Sequence, residues 1–351
     1  MRIYYYHTQD AEHIISEWER GRYPSHLLYG ATCFEANGIE IVMHKHRQEH
    51  NRLRRMVRVA WQVMRCRERY DVLYGSSHRG LELLIMLRAL GIYRHPICIW
   101  HHQPITKSRH RLREWVSRLY YRGIDHMFMF SETIAKMSEH SAKCRPERVS
   151  VAHWGADIDY YDRFMREHRE LRSGFISSGM ERRDMPTLIE AFNNTALPLR
   201  IFSITNYLGN DYEKIISSIP RRENITVTFN NRLMINELTA EVNRSACVVI
   251  CCQPTNYTVG LTTVVEALAL GLPIICSRNP QMPMNIEAEG CGLLVDYGDT
   301  EGWERAIRFI AEHPGEAKRM GERGRELAEK TYNIDRCTRE MAEAMKAMIR
   351  K

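Results

Sequence analysis

The chain has 351 residues, of which 44% are hydrophobic and 26% are charged, and its formal net charge is +7 at pH 7. This composition excludes fibrous and low-complexity chains, and the length predicts a globular protein of two domains. The N-terminus MRIYYYHTQD lacks the apolar core of a signal peptide, and the apolar runs are shorter than the roughly 18 residues that a membrane span needs. We therefore expect a cytoplasmic protein whose ten scattered cysteines stay reduced.

The first half of the chain alternates short apolar runs with stretches of helical spacing, such as LELLIMLRAL at 81–90. This alternation predicts a parallel, doubly wound sheet with helices on its faces. Strands are expected at 2–7, 39–44, 71–75, 96–100, 126–131 and 149–154.

The second half repeats this scheme, so the predicted fold is α/β, with two Rossmann-like doubly wound parallel-sheet domains facing a cleft. The domains are predicted at 1–165 and 166–334. The helix 335–351 is a candidate for packing back on the first domain. The charged segment 162–173 is interpreted as a linker. Strands are expected at 174–179, 199–205, 225–229, 246–252, 273–277 and 292–296, and helices at 186–195, 235–245, 262–270, 301–313 and within 318–351.

The segment YTVGLTTVVEALALGLPII, residues 257–275, contains a glycine turn followed by a helix with a single acid, Glu266. The small residues around Gly260 let a ligand approach the backbone, and the amides of the first helical turn favour an anion. Glu266 shares a helix face with Thr262 and Thr263, where its carboxylate could accept hydrogen bonds from a diol such as a ribose. The pattern T-x-x-E, from Thr263 to Glu266, is equally typical of a helix capping box.

The segment SSGMERRDMPTLIEAF, residues 177–192, is the other candidate loop. A strand is expected to end at Gly179, and Pro186 is typical of the first turn of the next helix. Between them, Arg182 and Arg183 have the forked donors that suit diphosphate oxygens. The alternative is an ordinary pair of solvated loop charges.

These segments resemble the donor-binding domain of retaining glycosyltransferases of the GT-B fold, glycosyltransferase family 4 in particular. The segment 257–275 is similar to the E-x(7)-E motif of that family, and 177–192 to its G-R-x-x-x-K-G motif. Two further segments, SVAHWGADIDYYDRF at 150–164 and GCGLLVDYGDTEGWERAI at 290–307, resemble family motifs and stand in the expected order. The resemblance implies a nucleotide-sugar donor as substrate and no other cofactor.

Carried over position by position, the resemblance implies that Glu266 holds the donor ribose and that Arg183, with Arg182 beside it, meets the diphosphate. Two positions depart from the family pattern: Thr258 replaces the acid that contacts the transferred sugar, and Met180 replaces an arginine. The remaining residues that would face the sugar and the diphosphate are Gly179, Gly260, Leu261, Thr262 and Thr263.

The segment PICIWHHQPI, residues 96–105, ends a predicted strand in two histidines. The resemblance places a histidine of the reaction centre at this strand end, with His102 as the best match and His101 as the alternative. An imidazole there can bind the sugar by a hydrogen bond and stabilise the transition state. The loop GSSHRG at 75–80 is a candidate for the acceptor side.

The tripeptide Asp157-Ile158-Asp159 matches the D-x-D metal signature of the other glycosyltransferase fold. It lies within 150–164 and outside the two candidate donor loops. We therefore predict that it binds no metal and that the reaction is independent of metal ions.

Residues 1–150 hold 25 Lys and Arg against 15 Asp and Glu, and the excess includes two segments with helical apolar spacing, 51–69 and 108–122. We expect most of the apolar face to pack on the sheet, as in other α/β domains. The arginine excess suggests peripheral attachment to an anionic membrane at its inner face. Nucleic acid is not expected as a partner, because no nucleic-acid motif is present.

The sequence thus predicts a retaining glycosyltransferase of hexosyltransferase type. It would move a sugar from a nucleotide-diphosphate sugar to a glycan, a polysaccharide precursor or a lipid-linked acceptor. Two alternatives stay open: a nucleotide-sugar epimerase of the same fold, and a non-catalytic relative that binds a nucleotide sugar, which the exchange at Thr258 would suit.

Overall fold

The computed structural model describes residues 1–207, 209–229 and 234–350. It divides into two compact units, one formed by Met1–Trp154 with Ile334–Lys351 and the other by Gly155–Asn333. Lys351, the last residue of the predicted C-terminal helix, lies outside the described residues. Each unit is built around its own parallel sheet.

The first unit alternates strands and helices, as its sequence predicts. Its strands are β1 (Arg2–Tyr6), β2 (Glu40–Met43), β3 (Val72–Gly75), β4 (Ile97–Trp100), β5 (His126–Met129) and β6 (Val149–Val151). They form a parallel sheet in the order β2-β1-β3-β4-β5-β6. The helices are α1 (Ala11–Glu19), α2 (Arg52–Met64), α3 (Glu82–Ala89), α4 (Arg111–Arg122) and α5 (Glu132–Glu139), with 3-10 helices at Ser25–Leu28, Glu35–Asn37 and Pro146–Arg148.

The second unit begins with the helix α6 (Ile158–Glu167) and continues in the same alternation. Its strands are β7 (Phe175–Ser178), β8 (Leu199–Ser203), β9 (Asn206–Tyr207), β10 (Asn210–Asp211), β11 (Ile225–Phe229), β12 (Cys247–Ile250), β13 (Ile274–Ser277) and β14 (Gly292–Val295). The parallel sheet has the order β11-β8-β7-β12-β13-β14, while β9 and β10 form a small antiparallel pair. The helices are α7 (Met185–Thr195), α8 (Tyr212–Ser217), α9 (Ile235–Asn243), α10 (Leu261–Ala269), α11 (Thr300–Glu312) and α12 (Pro314–Lys330). A last helix, α13 (Ile334–Ile349), belongs to the first unit.

The central strands of both sheets are buried along their whole length. Every residue of β3, β4, β7, β12 and β13 is buried, as expected for parallel strands with helices on both faces. The buried indole of Trp100 donates to the hydroxyl of Tyr74 at 2.8 Å, so this polar group in the core has a partner. Since the central strands themselves are buried, the polar residues that follow them mark the ends of the sheets, where ligands bind in folds of this kind.

The predicted strands of both sheets are confirmed, but the predicted linker at 162–173 is wrong in its first half. Helix α6 begins after Asp157, which caps it by accepting from the Tyr160 amide at 3.0 Å, and the helix continues to Glu167. Asp162 on this helix pairs with Arg325 on α12, within the second unit. The division of the structure accordingly falls after Trp154, before the predicted boundary at residue 165.

The basic segments also depart from expectation, because only part of their apolar surface packs against the sheet. Helix α2 buries Val59, Ala60 and Val63, whereas α4 buries only Glu114. Large apolar side chains on the outer faces of both helices remain exposed. Over the described ranges, no helix has both the length and the apolar character needed to span a membrane.

Candidate functional site

The strand order of the second sheet reverses between β7 and β12. From β7 the chain runs outward through β8 to β11, and it then returns to the other side of β7 as β12. At such a point the loops after the two strands diverge and leave a crevice at the carboxyl ends. These loops, residues 179–184 and 251–260, are the two that the sequence singles out.

The side chain of Arg183 connects the two loops. Its guanidinium donates to the carbonyl oxygens of Ser178, at 3.2 and 2.9 Å, and Glu181, at 3.2 Å. It also donates to Cys252 Sγ and to Thr263 Oγ1, each at 3.3 Å. The Arg183 side chain is buried and forms no ion pair with a described residue. A buried cation that forms no ion pair with any described carboxylate makes this place attractive to an anion.

The two arginines of the loop have different environments, which the sequence alone does not distinguish. The contacts of Arg183 engage its guanidinium on all sides, so this residue holds the loops together. Arg182 is exposed, has a left-handed backbone with φ 52°, and interacts with the hydroxyl of Tyr257. Arg182 is therefore the cation of the pair that can reach a ligand directly.

Two glycines allow the loop backbones to lie close to Arg183. Gly179 has φ 100° and Gly260 has φ 86°, a conformation that side chains other than glycine rarely adopt. A Cβ atom on Gly179 would collide with the Arg183 guanidinium, and one on Gly260 would lie 2.7 Å from Cγ2 of Ile250. A larger residue at either position would push the loop away from the arginine.

The start of α10 is not capped by a side chain among the described residues. Gly260 is the N-cap, so Thr263 is the third residue of the helix and cannot cap it. The capping-box interpretation of Thr263 and Glu266 is therefore wrong, and Thr263 instead accepts from Arg183. The amides of Leu261 and Thr262 therefore have no side-chain cap in the described part of the chain, and they lie at the positive end of the helix dipole.

Glu266 lies one turn further along α10 and is partly buried. Burial raises the pKa of its carboxyl to about 7, an effect that an interaction with the buried Tyr161 hydroxyl partly offsets. When ionised, this carboxylate is a strong acceptor for a pair of hydroxyl groups. The first turns of α10 therefore place main-chain amides without a side-chain cap close to a carboxyl group that can accept hydrogen bonds when it is ionised. The role of Tyr161 is not apparent from the sequence, because the surface charges of 162–173 favour a linker over a helix.

The carboxylate of Glu181, in the loop after β7, is hydrogen-bonded to the loop that contains Thr258. The hydroxyl of Tyr257 donates to the Glu181 carboxylate at 2.7 Å, and its main-chain oxygen accepts from Asn279 at 2.9 Å. Glu181 thus lies beside the loop whose family acid is replaced by Thr258. Sequence reasoning missed Glu181 and Tyr257, since only the fold brings the two loops together.

In the first unit, His101 and His102 follow β4, and their hydrogen bonds distinguish them. His101 is buried, with Nδ1 2.6 Å from the Gln103 carbonyl and Nε2 2.9 Å from the Tyr121 hydroxyl. The carbonyl needs a proton on Nδ1, so Nε2 accepts from Tyr121. Both ring nitrogens of His101 are therefore used within the fold.

His102 keeps one ring nitrogen available. Its Nε2 lies 3.0 Å from the Ser76 carbonyl and so carries the proton, while Nδ1 has no hydrogen-bond partner in the described part of the chain. Burial lowers the pKa of both histidines to about 4, so both are neutral near pH 7. The geometry favours His102 over His101 as an acceptor for a substrate hydroxyl.

Residues 184–327 match the family described as glycosyl transferases group 1. This range contains the uncapped start of α10, Thr258 and Glu266, and it begins directly after Arg183. The resemblance to a glycosyltransferase family is confirmed over this range. A comparison with curated protein sequences finds no match.

Solved structures similar to the whole chain confirm the predicted GT-B fold class of two Rossmann-like domains. Sucrose-phosphate synthase from Thermosynechococcus elongatus has a TM-score of 0.73 at 13% identity, over 100% of this chain and 99% of that chain. The α,α-trehalose 6-phosphate synthase from Burkholderia multivorans has a TM-score of 0.72 at 11% identity, over 100% of this chain and 98% of that chain. Anabaena HepE in complex with UDP has a TM-score of 0.68 at 12% identity, over 99% of this chain and 100% of that chain.

Proposed function

We propose that this chain, whose residues 184–327 match glycosyl transferases group 1, is a retaining glycosyltransferase that uses a nucleotide-diphosphate sugar. The acceptor would be a hydroxyl group of a glycan, a polysaccharide precursor or a lipid-linked sugar. In the reaction, the bond from the anomeric carbon to the diphosphate breaks and a bond to the acceptor oxygen forms. The departing diphosphate oxygen takes the electron pair of the broken bond and receives the proton that the acceptor hydroxyl loses.

One observation carries the proposal. A buried guanidinium without an ion pair to a described residue lies together with a helix start that no described side chain caps, at the strand reversal of the second sheet. The Arg183 cation and the amides of Leu261 and Thr262 would stabilise the charge that develops on the leaving diphosphate. Arg182 would bind the phosphate oxygens from the exposed side. Glu266 would accept hydrogen bonds from the ribose, as the resemblance implies.

The same cation set supports independence from metal ions. In this proposal the leaving group is neutralised by Arg182, Arg183 and main-chain amides, which are permanent parts of the fold. We expect a chelator to leave turnover unchanged. A loss of turnover with EDTA, restored by a divalent cation, would contradict this part of the proposal.

His102 would serve the transferred sugar, the role that the resemblance assigns to it. A neutral imidazole with an unprotonated Nδ1 can accept a hydrogen bond from a sugar hydroxyl and orient the sugar. It does not have a proton to donate from that nitrogen near pH 7. We therefore assign to His102 a positioning and stabilising contact, rather than general-acid catalysis.

The proposal is tested by melting curves of the protein with UDP-, GDP- and ADP-sugars, starting with UDP-glucose. UDP-glucose comes first because Anabaena HepE has been solved in complex with that nucleotide sugar. A rise in melting temperature with one donor identifies the base. Product formation is then followed with candidate acceptors, and nuclear magnetic resonance of the product should show the anomeric configuration of the donor. No shift with any nucleotide sugar would contradict the proposal.

Thr258 favours one alternative, a relative that binds a nucleotide sugar without transferring it. In that case the donor would raise the melting temperature, while no nucleoside diphosphate would be released in the presence of any acceptor. The Tyr257–Glu181 hydrogen bond is the observation against this alternative, because it supplies an acid close to the altered position.

A further inference from the structure

A layer of three helices covers one side of the first sheet and carries apolar residues on its outer surface. Helix α2 contacts α3, and α3 contacts α4, so the three lie side by side. On α4, Leu112 is 74% exposed, Trp115 is 65% exposed and Val116 is 40% exposed. Their spacing of three and four residues places them in one stripe along the helix.

Helix α2 carries a second stripe of the same kind. Leu53 is 67% exposed, and Val57, Trp61 and Met64 are each more than half exposed. These positions repeat every three or four residues, whereas the buried face of α2 is formed by other positions, including Val59 and Val63. The apolar arc of α2 is therefore wide, and only the part that contains Val59 and Val63 packs against described residues of the protein.

Cations surround both stripes. Arg54 on α2 and Lys107, Arg109, Arg111 and Arg113 around the start of α4 are exposed and form no ion pair with any described residue. The guanidinium of Arg65 stacks on Trp61, 4.6 Å from the ring centroid. Arg58 on α2 and Arg118 on α4 pair with Glu49 and Glu114, so the positive charge beside the stripes comes from the cations that have no such partner among the described residues.

A pocket of about 430 Å³ lies at the start of α4 beside Trp115. Lys107, Arg109 and Arg111 contribute to its lining. The buried Lys143 and Glu114 form an ion pair at 3.0 Å, and Glu114 accepts from the Ser108 amide at 2.8 Å. This ion pair and the hydrogen bond from Ser108 fix the loop 107–110. The cations at the rim of the pocket therefore keep a defined position relative to Trp115.

We propose that the outer surface of α2 and α4 is a docking surface for a bilayer that contains anionic phospholipids. The two tryptophans and the aliphatic side chains would enter the boundary between headgroups and acyl chains, while the arginines bind the phosphates. The pocket beside Trp115 would hold one headgroup. The inference goes beyond the proposed sugar transfer and does not depend on it.

The composition of the surface favours a bilayer over the other partners of a basic surface. A nucleic acid would satisfy the arginines but would leave Leu53, Val57 and Leu112 facing a polar sugar-phosphate backbone. A second copy of this chain would cover the apolar stripes but would bring two positively charged surfaces together. An anionic bilayer accommodates both the charges and the aliphatic side chains.

The test is co-sedimentation of the full chain with vesicles of phosphatidylcholine, with and without phosphatidylglycerol. We expect binding to the anionic vesicles, and weakening when salt is raised from about 0.1 M to about 0.5 M, since salt screens the charges. The triple variant Arg109→Ala, Arg111→Ala, Arg113→Ala should bind at least about tenfold more weakly. The double variant Trp61→Ala, Trp115→Ala should also lose binding, because it removes the apolar anchors.

The matched control is Leu171→Ala, which shortens an apolar side chain of the second unit that is 97% exposed. It should bind vesicles like the unchanged protein. Melting curves of all variants should be unchanged, since the replaced side chains are exposed. The inference is overturned by absent vesicle binding, by equal binding to both kinds of vesicle, or by binding that the arginine and tryptophan variants retain. Self-association or RNA binding that depends on these residues, without vesicle binding, would also overturn it.

Discussion

The guanidinium of Arg183 and the hydroxyl of Thr263 meet at 3.3 Å, and this contact joins the loop after β7 to the first turn of α10. Both loops that carry the proposed donor contacts are therefore hydrogen-bonded to one buried cation, the guanidinium of Arg183. Its removal would separate the loops and take away the charge beneath them. A loss of stability and a loss of donor binding should consequently occur together at this position.

The carboxyl of Glu266 predicts a pH-dependent stability difference for the variant Glu266→Gln. Its folded pKa of about 7 lies above the ordinary value of 4.5, so the folded state favours the protonated form. The native protein therefore loses stability as the pH rises from about 4.5 to about 7, by up to about 3 kcal/mol. The amide of the variant does not ionise and escapes this loss.

Melting temperatures of both proteins between about pH 5 and pH 8 measure the effect. The melting temperature of Glu266→Gln relative to the unchanged protein should rise with pH. Glu312→Gln, a change of an exposed carboxyl, is the control and should follow the unchanged protein. A pH-independent difference for Glu266→Gln would show that burial does not hold this carboxyl protonated.

The two histidines after β4 predict opposite phenotypes. His101→Ala removes the partner of the Tyr121 hydroxyl and of the Gln103 carbonyl, which should cost about 1–3 kcal/mol of stability. His102→Ala removes a single bond to Ser76 within the protein and the free Nδ1. It should lower kcat by at least about tenfold with a smaller effect on the melting temperature.

Turnover and melting curves of the two variants decide this assignment. A fall in kcat for His101→Ala at unchanged stability, with His102→Ala fully active, would reverse the roles. The variant His102→Asn is a useful companion, since its amide can still offer an oxygen acceptor and should retain part of the activity.

The hydrogen bond between Tyr257 and Glu181 predicts that Glu181 replaces the missing acid at Thr258. Glu181→Gln should lower kcat/KM by about tenfold or more, because a hydrogen bond to a charged group contributes about 1.5–3 kcal/mol. Tyr257→Phe should act in the same direction, since the hydroxyl holds the carboxylate in place. Addition of Thr258→Glu to Glu181→Gln should restore part of the lost activity.

Steady-state kinetics with the donor identified by melting curves measure these effects. The exposed change Glu312→Gln is again the control and should leave kcat/KM unchanged. If Glu181→Gln and Tyr257→Phe are both as active as the unchanged protein, the pair has no part in binding the sugar.

The fold class is predictable because both halves have regular strand and helix patterns. The runs VLYG, ICIW and CVVI are apolar throughout, as buried parallel strands are, and each forms a strand. The segment around Asp162 resembles a linker because its surface charges hide a buried face of Tyr160, Tyr161 and Phe164. Charged residues along a helix identify its solvent-exposed face, but they do not identify the apolar residues that the opposite face buries.

The site is predictable in its loops but not in its pairings. Gly260 and Arg183 stand out in the sequence, yet only the fold shows that the glycine caps the helix and that the arginine is buried. The distinction between His101 and His102 depends on the carbonyls that their rings face, which no sequence pattern contains. Glu181 escapes sequence reasoning for the same cause, since its partner lies on another loop.

The central claim, that the loops after β7 and β12 bind the donor diphosphate, is tested most directly by calorimetric titration with nucleoside diphosphates. Arg182→Ala should weaken binding by about tenfold or more without a change in melting temperature, because this side chain is exposed. Arg183→Lys should weaken binding and also lower the melting temperature. The control Arg169→Ala, a change of another exposed arginine, should have the same affinity and melting temperature as the unchanged protein. Binding of the diphosphate with unchanged affinity by both Arg182→Ala and Arg183→Lys would contradict the claim.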